Sequence, residues 1–124
     1  MPASKEAIAI TQIAAHAVME KLGHDLVAID MSDQLVLCEV FLIASGQNAP
    51  QIQAIADEVE RKLHEAGQKP ARRENGSEWI LIDYSDLVVH IQTDELRRYY
   101  MLYRLWNDCP TIPLDAVRDM HTQA

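Results

Sequence analysis

Trp79-Ile80-Leu81-Ile82-Asp83-Tyr84-Ser85-Asp86-Leu87-Val88-Val89-His90-Ile91 is the stretch on which the fold turns. Two aliphatic runs, 79–82 and 87–91, flank a short connection at Tyr84-Ser85, the pattern of strand, turn and strand. Side chains alternate between the two faces of a strand. One face therefore carries Ile80, Ile82, Leu87, Val89 and Ile91, and must be core. The other carries Trp79, Leu81, Asp83, Asp86, Val88 and His90. A two-residue loop at Tyr84-Ser85 sets Asp83 opposite Asp86, Leu81 opposite Val88 and Trp79 opposite His90. Facing acids destabilise such a pair by about 0.2–1 kcal/mol. Two readings of this second face stand open. It is a docking patch for a basic partner with Trp79 as anchor, or it is a hairpin end in solvent whose Trp is covered by the first helix. Tyr-Ser is not a favoured two-residue turn, so the register depends on the loop assumed.

Working outward, Thr93 is placed to cap a helix with Asp94 and Glu95 in its first turn, where acids favour the helix dipole. Leu96, Tyr99, Tyr103 and Trp106 fall on one face of it. From Asn107 the chain carries Pro110 and Pro113, and is expected to trail along the surface with a short helix at 114–120. Upstream, Ile52, Ile55, Ala56, Val59 and Leu63 recur at helical spacing. Asn48 is the expected cap, Pro50 lies in the first turn and Gly67 follows the last. Asp57, Glu58, Glu60, Arg61 and Lys62 form its solvated face. Residues 71–74 predict a strand, and 74–78 a turn. Leu26-Val27-Ala28-Ile29 predicts a buried strand, and 35–37 with 40–44 predict more, stopped by Ser45-Gly46. Residues 5 to about 22 predict a helix, with Ile8, Ala15, Val18, Met19 and Leu22 on one stripe, Ser4 as cap and Gly23 at the end. This order predicts an α/β (α+β) domain, a mixed β-sheet of about five strands flanked by helices.

Composition narrows the class. The chain has 124 residues, enough for one core. It lacks an apolar run of the ~18 residues needed to span a membrane, and it does not open on a secretion signal. Cys38 and Cys109 match no metal or redox spacing and are expected to be reduced in a cytoplasmic protein. Eleven Lys and Arg against nineteen Asp and Glu give a net charge of −8. Binding RNA through phosphates calls for a basic stripe, so a basic protein surface is the better partner.

Catalysis finds no support. A metal-dependent phosphoryl or nucleotidyl transferase needs converging carboxylates. Asp30 and Asp33 are three apart, as are Asp83 and Asp86, so neither pair aligns along one strand. Glu58 and Glu60 do not face each other on a helix. No phosphate-binding glycine loop occurs. His16, His24, His64, His90 and His121 are scattered, so neither a metal nor a cofactor is expected. The tyrosine-rich final helix has the residues to stack bases, but such a stripe more commonly packs on a sheet.

Four stretches resemble the Iojap family of ribosomal silencing factors. They are Phe41-Leu42-Ile43-Ala44-Ser45-Gly46 with Gln51 and Ala54-Ile55-Ala56-Asp57; Trp79-Ile80-Leu81-Ile82-Asp83-Tyr84; Asp86-Leu87-Val88-Val89-His90; and Arg98-Tyr99-Tyr100 leading to Leu105-Trp106. The resemblance covers roughly residues 5–108, which implies a silencing-factor domain at 1–108 and a C-terminal tail at 109–124. It implies a nucleotidyltransferase-like fold without catalytic acids, and no catalysis. It also implies binding to the large ribosomal subunit through its fourteenth ribosomal protein, a basic protein on the intersubunit face. The small subunit is then kept from joining and translation falls, with a further role in large-subunit biogenesis. A homodimer is implied for the free protein. The implied partner-binding residues are Trp79, Asp83, Tyr84, Asp86, His90, Glu95, Arg98 and Tyr99. Ser85 stands where the family usually has Gly, and Glu39 where it usually has Asp. The alternatives are an active nucleotidyltransferase-like enzyme, which needs nucleotide and Mg²⁺, and an RNA-binding module, which needs steep salt dependence.

Overall fold

The computed structural model describes residues 2–33, 38–100 and 109–117, the side chains of Tyr99 and Tyr100 excepted. Along the chain come α1 (Lys5–Glu20), β1 (His24–Asp30), β2 (Val40–Gly46), α2 (Ala49–Glu65), β3 (Arg72–Asn75), β4 (Trp79–Asp83), β5 (Leu87–Thr93) and α3 (Asp94–Tyr100). The strands form one five-stranded sheet in the order β1-β2-β5-β4-β3. The β2–β5 pair is parallel, with Val40 beside Leu87 and Gly46 beside Thr93. The other three pairs are antiparallel. The mixed sheet read from the sequence is thus present. The strand expected at 35–37 and the helical face expected beyond residue 100 lie outside the described residues.

One face of the sheet is the main core. Val40, Leu42 and Ala44 of β2, Ile80 and Ile82 of β4, and Leu87, Val89 and Ile91 of β5 are buried there with α1 and α2. In α2 the predicted stripe is the buried one, joining Ile52, Ile55, Ala56, Val59 and Leu63. Asn48 caps it, accepting a 2.9 Å hydrogen bond from the Gln51 amide. Glu58, expected on the solvated face, is instead buried. Its carboxylate accepts from Arg61 Nε and Nη2 at 2.9 and 2.8 Å, so the charge is matched where it loses water.

The buried face of the first helix is wider than expected: Ile8, Ala15, Val18 and Met19 of the expected stripe pack in or against the core, and Leu22 does not. Its buried residues are Ala7, Ile10, Thr11, Ala14, Ala15, Ala17 and Val18, while Leu22 is 76% exposed. Alanines let α1 approach closely, and a pattern weighted by large apolar side chains misses them. The end of α1 also exchanges the expected roles. Leu22, not Gly23, takes the left-handed conformation, at φ 64°. The Leu22 amide bonds Met19 O and the Gly23 amide bonds Val18 O, closing the helix. Gly23 is required for space, because a Cβ there would collide with Val18 Cγ1. Leu22→Gly is therefore expected to raise stability by about 0.5–1 kcal/mol, the left-handed penalty less the entropy of a looser unfolded chain. A chemical-denaturation midpoint checks this.

The hairpin register differs from the one assumed. Asp83 pairs with Val88, Leu81 with His90 and Trp79 with Gln92. The Tyr84 amide bonds Leu87 O, so Ser85 and Asp86 form the turn. The offset is two residues along β5, which preserves the alternation and leaves both faces as read. Asp86 leaves the ladder, however, and no longer faces Asp83. Ser85 takes φ 73°, the conformation for which glycine is better suited. Its amide donates 2.8 Å to Asp83 Oδ1, which helps hold the strained turn.

The end of the described chain is not a trailing tail. Thr111 bridges Ile29 in antiparallel fashion. Asp30 N donates to Pro110 O and Ile112 N to Ala28 O, each at 2.8 Å, which covers the free edge of β1. Leu114 and Ala116 are buried in the main core. Edge amides and apolar side chains thus hold 109–117 in place.

Candidate functional site

The opposite face of the sheet gathers the residues of interest. Registers across the strands place Arg72, Asp83, Val88, Phe41 and Ile29 in one row. The next row is Glu74, Leu81, His90, Ile43 and Val27. Ile29, Met31 and Ile43 are buried in a small second cluster, with Val27, Cys38, Phe41 and Cys109 packed around it. Toward β4 and β3 the face opens. Trp79, Leu81 and Val88 are half-buried, Asp83 keeps 29% of its side chain exposed, and Asp86 is exposed at the tip. Asp83 lies 3.8 Å from Arg72 Nε. Trp79 therefore projects to the side away from α1 and α2, which removes the reading in which the first helix covers it.

His90 is the pivot of this face. Its ring meets Trp79 at 6.1 Å between centroids and 63°, and Phe41 at 6.2 Å and 74°, both edge-to-face. Only 8% of it is exposed. Burial, seconded by the charge of Arg97, pushes its pKa down to about 4. The imidazole is neutral near pH 7, and its buried Nδ1 has no hydrogen-bond partner. His90 thus supports Trp79 from beneath and offers little surface of its own.

The other sequence-predicted residues separate. Tyr84 turns to the opposite face and joins the main core, 6% exposed. Burial there, and then Glu60, push its phenol up to about 12. Glu95 and Arg98 are exposed on α3, and the Tyr99 side chain lies outside the described residues. Phe41, Leu81 and Val88, which floor the face, were not singled out in the sequence. Alternation marks Leu81 and Val88, but placing Phe41 beside Val88 needs the parallel register.

Trp79 is seated by Gly76. In the β3–β4 turn the Gly76 amide donates to Trp79 O at 2.8 Å. A Cβ on Gly76 would collide with Nε1, Cε2 and Cδ1 of the indole. Gly76→Ala is expected to swing the indole out of its seat and cost about 1–3 kcal/mol, the range for overpacking. In a Trp106→Phe background, tryptophan emission should shift red as Trp79 gains water.

Fold and face describe a small α/β domain, one sheet face under two long helices and the other partly open, aromatic and edged by acids. Comparison with known proteins gives the class a lineage. The family model described as "Ribosomal silencing factor during starvation" matches residues 4–124. A ribosomal silencing factor of Halalkalibacterium halodurans is 37% identical over 110 residues, 87% of this chain and 94% of that protein. One from Bacillus subtilis is 38% identical over 108 residues, 86% of this chain and 92% of its own. A crystal structure from Chromobacterium violaceum superposes with TM-score 0.76 at 33% identity, covering 80% of this chain and 84% of that one. A crystal structure from Bacillus halodurans gives 0.75 at 37% identity, covering 86% and 99%. The chain belongs to the ribosomal silencing factor family, regulators of translation that are not enzymes. Among the described residues, no helix is long and apolar enough to cross a membrane.

Proposed function

We propose that this protein binds the large ribosomal subunit through the Trp79 face and sterically prevents the small subunit from docking. Support comes from one observation above the others: a half-buried Trp79 on the same sheet face as Asp83, at the other end of β4, with Asp86 at the hairpin tip, on the side of the sheet away from both long helices. An indole supplies large, rigid contact area, and tryptophan is enriched at the energetic centres of interfaces. Carboxylates at the hairpin end of the same face select a basic partner and steer its approach. The partner proposed is the fourteenth protein of the large subunit, in keeping with the family resemblance. Glu95 and Arg98 form the rim of this surface, with Tyr99 beside them. His90 and Tyr84 act from within, one beneath the indole and one anchoring the turn. The free protein is proposed to be a cytoplasmic homodimer, with a further role in large-subunit biogenesis. Its fold is proposed to descend from a nucleotidyltransferase-like domain without the catalytic acids.

Gradient sedimentation with separated subunits tests the reading. The protein should travel with large subunits and not with small ones, and light scattering should show slowed subunit joining. Absence from the large-subunit fraction, or joining at an undiminished rate with the factor bound, would overturn it.

A further inference from the structure

At the end of the sheet where the parallel strands β2 and β5 finish, a second constellation adjoins the proposed docking surface at Arg98. His24 opens β1 opposite Ser45, and the β1–β2 register is irregular between His24 and Val27. Asp25 lies within that irregularity at φ 52°. Asp94 follows directly on β5 and begins α3. One ligating atom from each of His24, Asp25 and Asp94 lies within 4.8 Å of the others. His24 Nε2 and Asp94 Oδ1 are 2.6 Å apart, with the two side chains 37% and 38% exposed.

We propose that His24, Asp25 and Asp94 form a binding site for a divalent transition-metal ion, of which Zn²⁺ is the best fit. One imidazole nitrogen and two carboxylates are the donor types that Zn²⁺ takes at about 2.0–2.2 Å. Donors at that bond length around one tetrahedral ion sit roughly 3.4 Å from each other. The His24–Asp94 pair opens slightly to admit the ion and the third donor closes, both by side-chain rotation. The His24–Asp94 hydrogen bond then gives way to the metal, as ligand imidazoles and carboxylates bind in their deprotonated forms. Two carboxylates balance the charge of the ion. Mg²⁺ and Ca²⁺ prefer oxygen ligands throughout and are disfavoured by the imidazole.

The surroundings suit an accessible ion. A groove of about 810 Å³ is lined by the three residues together with Ser45, Arg97 and Arg98. Arg97 donates a 2.7 Å hydrogen bond from Nη1 to Ser45 Oγ. Three protein ligands leave at least one coordination position facing the groove, for water or an anionic group of a partner.

The test uses the full chain, freed of metal by chelation and titrated with Co²⁺ alone, whose visible absorption reports nitrogen and oxygen coordination. Zn²⁺ should displace the Co²⁺ signal, and Mg²⁺ in equal amount should not. His24→Ala and Asp94→Asn should each weaken Co²⁺ binding at least ten-fold, with unchanged circular dichroism, whereas His16→Ala and His64→Ala should not. Asp94→Asn keeps a hydrogen-bond partner for His24 and decides the matter should His24→Ala fail to fold. Missing absorption bands at saturating Co²⁺, equal displacement by Mg²⁺, or undiminished binding by the folded variants would each overturn the site.

Discussion

The double variant Asp83→Lys/Asp86→Lys should lose at least about a hundred-fold in affinity for large subunits, about 2.7 kcal/mol, while remaining folded. Reversing a charge replaces attraction to a basic surface by repulsion. Close interfacial charge pairs carry coupling energies of about 1.5–7 kcal/mol. The fold loses less. Asp86 is an exposed turn residue whose backbone carbonyl, not its carboxylate, ties the hairpin to β2 by accepting from Glu39 N and Val40 N at 3.0 Å. Asp83 gives up one hydrogen bond from Ser85, worth about 1 kcal/mol, and a long, solvent-screened ion pair with Arg72, worth less. Asp83→Asn/Asp86→Asn separates charge from geometry, since Asn retains that acceptor. Its loss should be smaller and should shrink as salt is raised. Equal co-sedimentation of the Lys variant and the parent would show that the acids are not at the interface.

Acidification supplies the second large effect. A histidine takes its proton near 6.5 in the unfolded chain, whereas folded His90 resists until about 4. Between these values the unfolded state binds more protons, so stability falls as pH falls. The loss starts below pH 6.5 and is complete near pH 4. Across that window it amounts to roughly 3 kcal/mol, a large share of the ~5–15 kcal/mol that holds a typical domain together. Glu58, held down to about 2 by its hydrogen bonds to Arg61, gives up its contribution at lower pH. Urea midpoints at pH 7, 5.5 and 4 should drop steeply for the parent. They should drop much less for His90→Phe, whose ring fills the same slot between Trp79 and Phe41 without titrating. Parallel curves for the two proteins would show that His90 is not the group responsible.

The sequence made some elements plain and hid others for physical reasons. Helix α2 was legible because Ile52, Ile55, Val59 and Leu63 are large, apolar and regularly spaced. Helix α1 was legible as a helix, but only part of its buried face was, because Ala7, Ala14 and Ala17 bury without a strong apolar signal. Both faces of the hairpin were readable from alternation alone. Its register was not, since it turns on Ser85 accepting a left-handed conformation. The parallel β2–β5 pairing is non-local, and no local pattern announces it. Of the candidate site, Trp79 and Asp83 were readable as sharing one face, while the aromatic slot around His90 needed Phe41 from a distant strand. The packing of Leu114 and Ala116 was also hidden, because prolines on either side of the β1 edge contact suggest a loose terminus.

The parallel pairing also bears on how the molecule is made. Strand β5 lies between β2 and β4, and Val40 pairs with Leu87, 47 positions later (87 − 40). At roughly 5–20 residues per second, synthesis leaves the inner edge of β2 without its neighbour for about 2–9 s. During that interval the nascent chain exposes an aliphatic strand with unpaired amides, a template for association with other chains. Yield in cells should therefore respond to elongation speed between codons 46 and 87 and to chaperone supply, even for variants whose finished fold is as stable as the parent's.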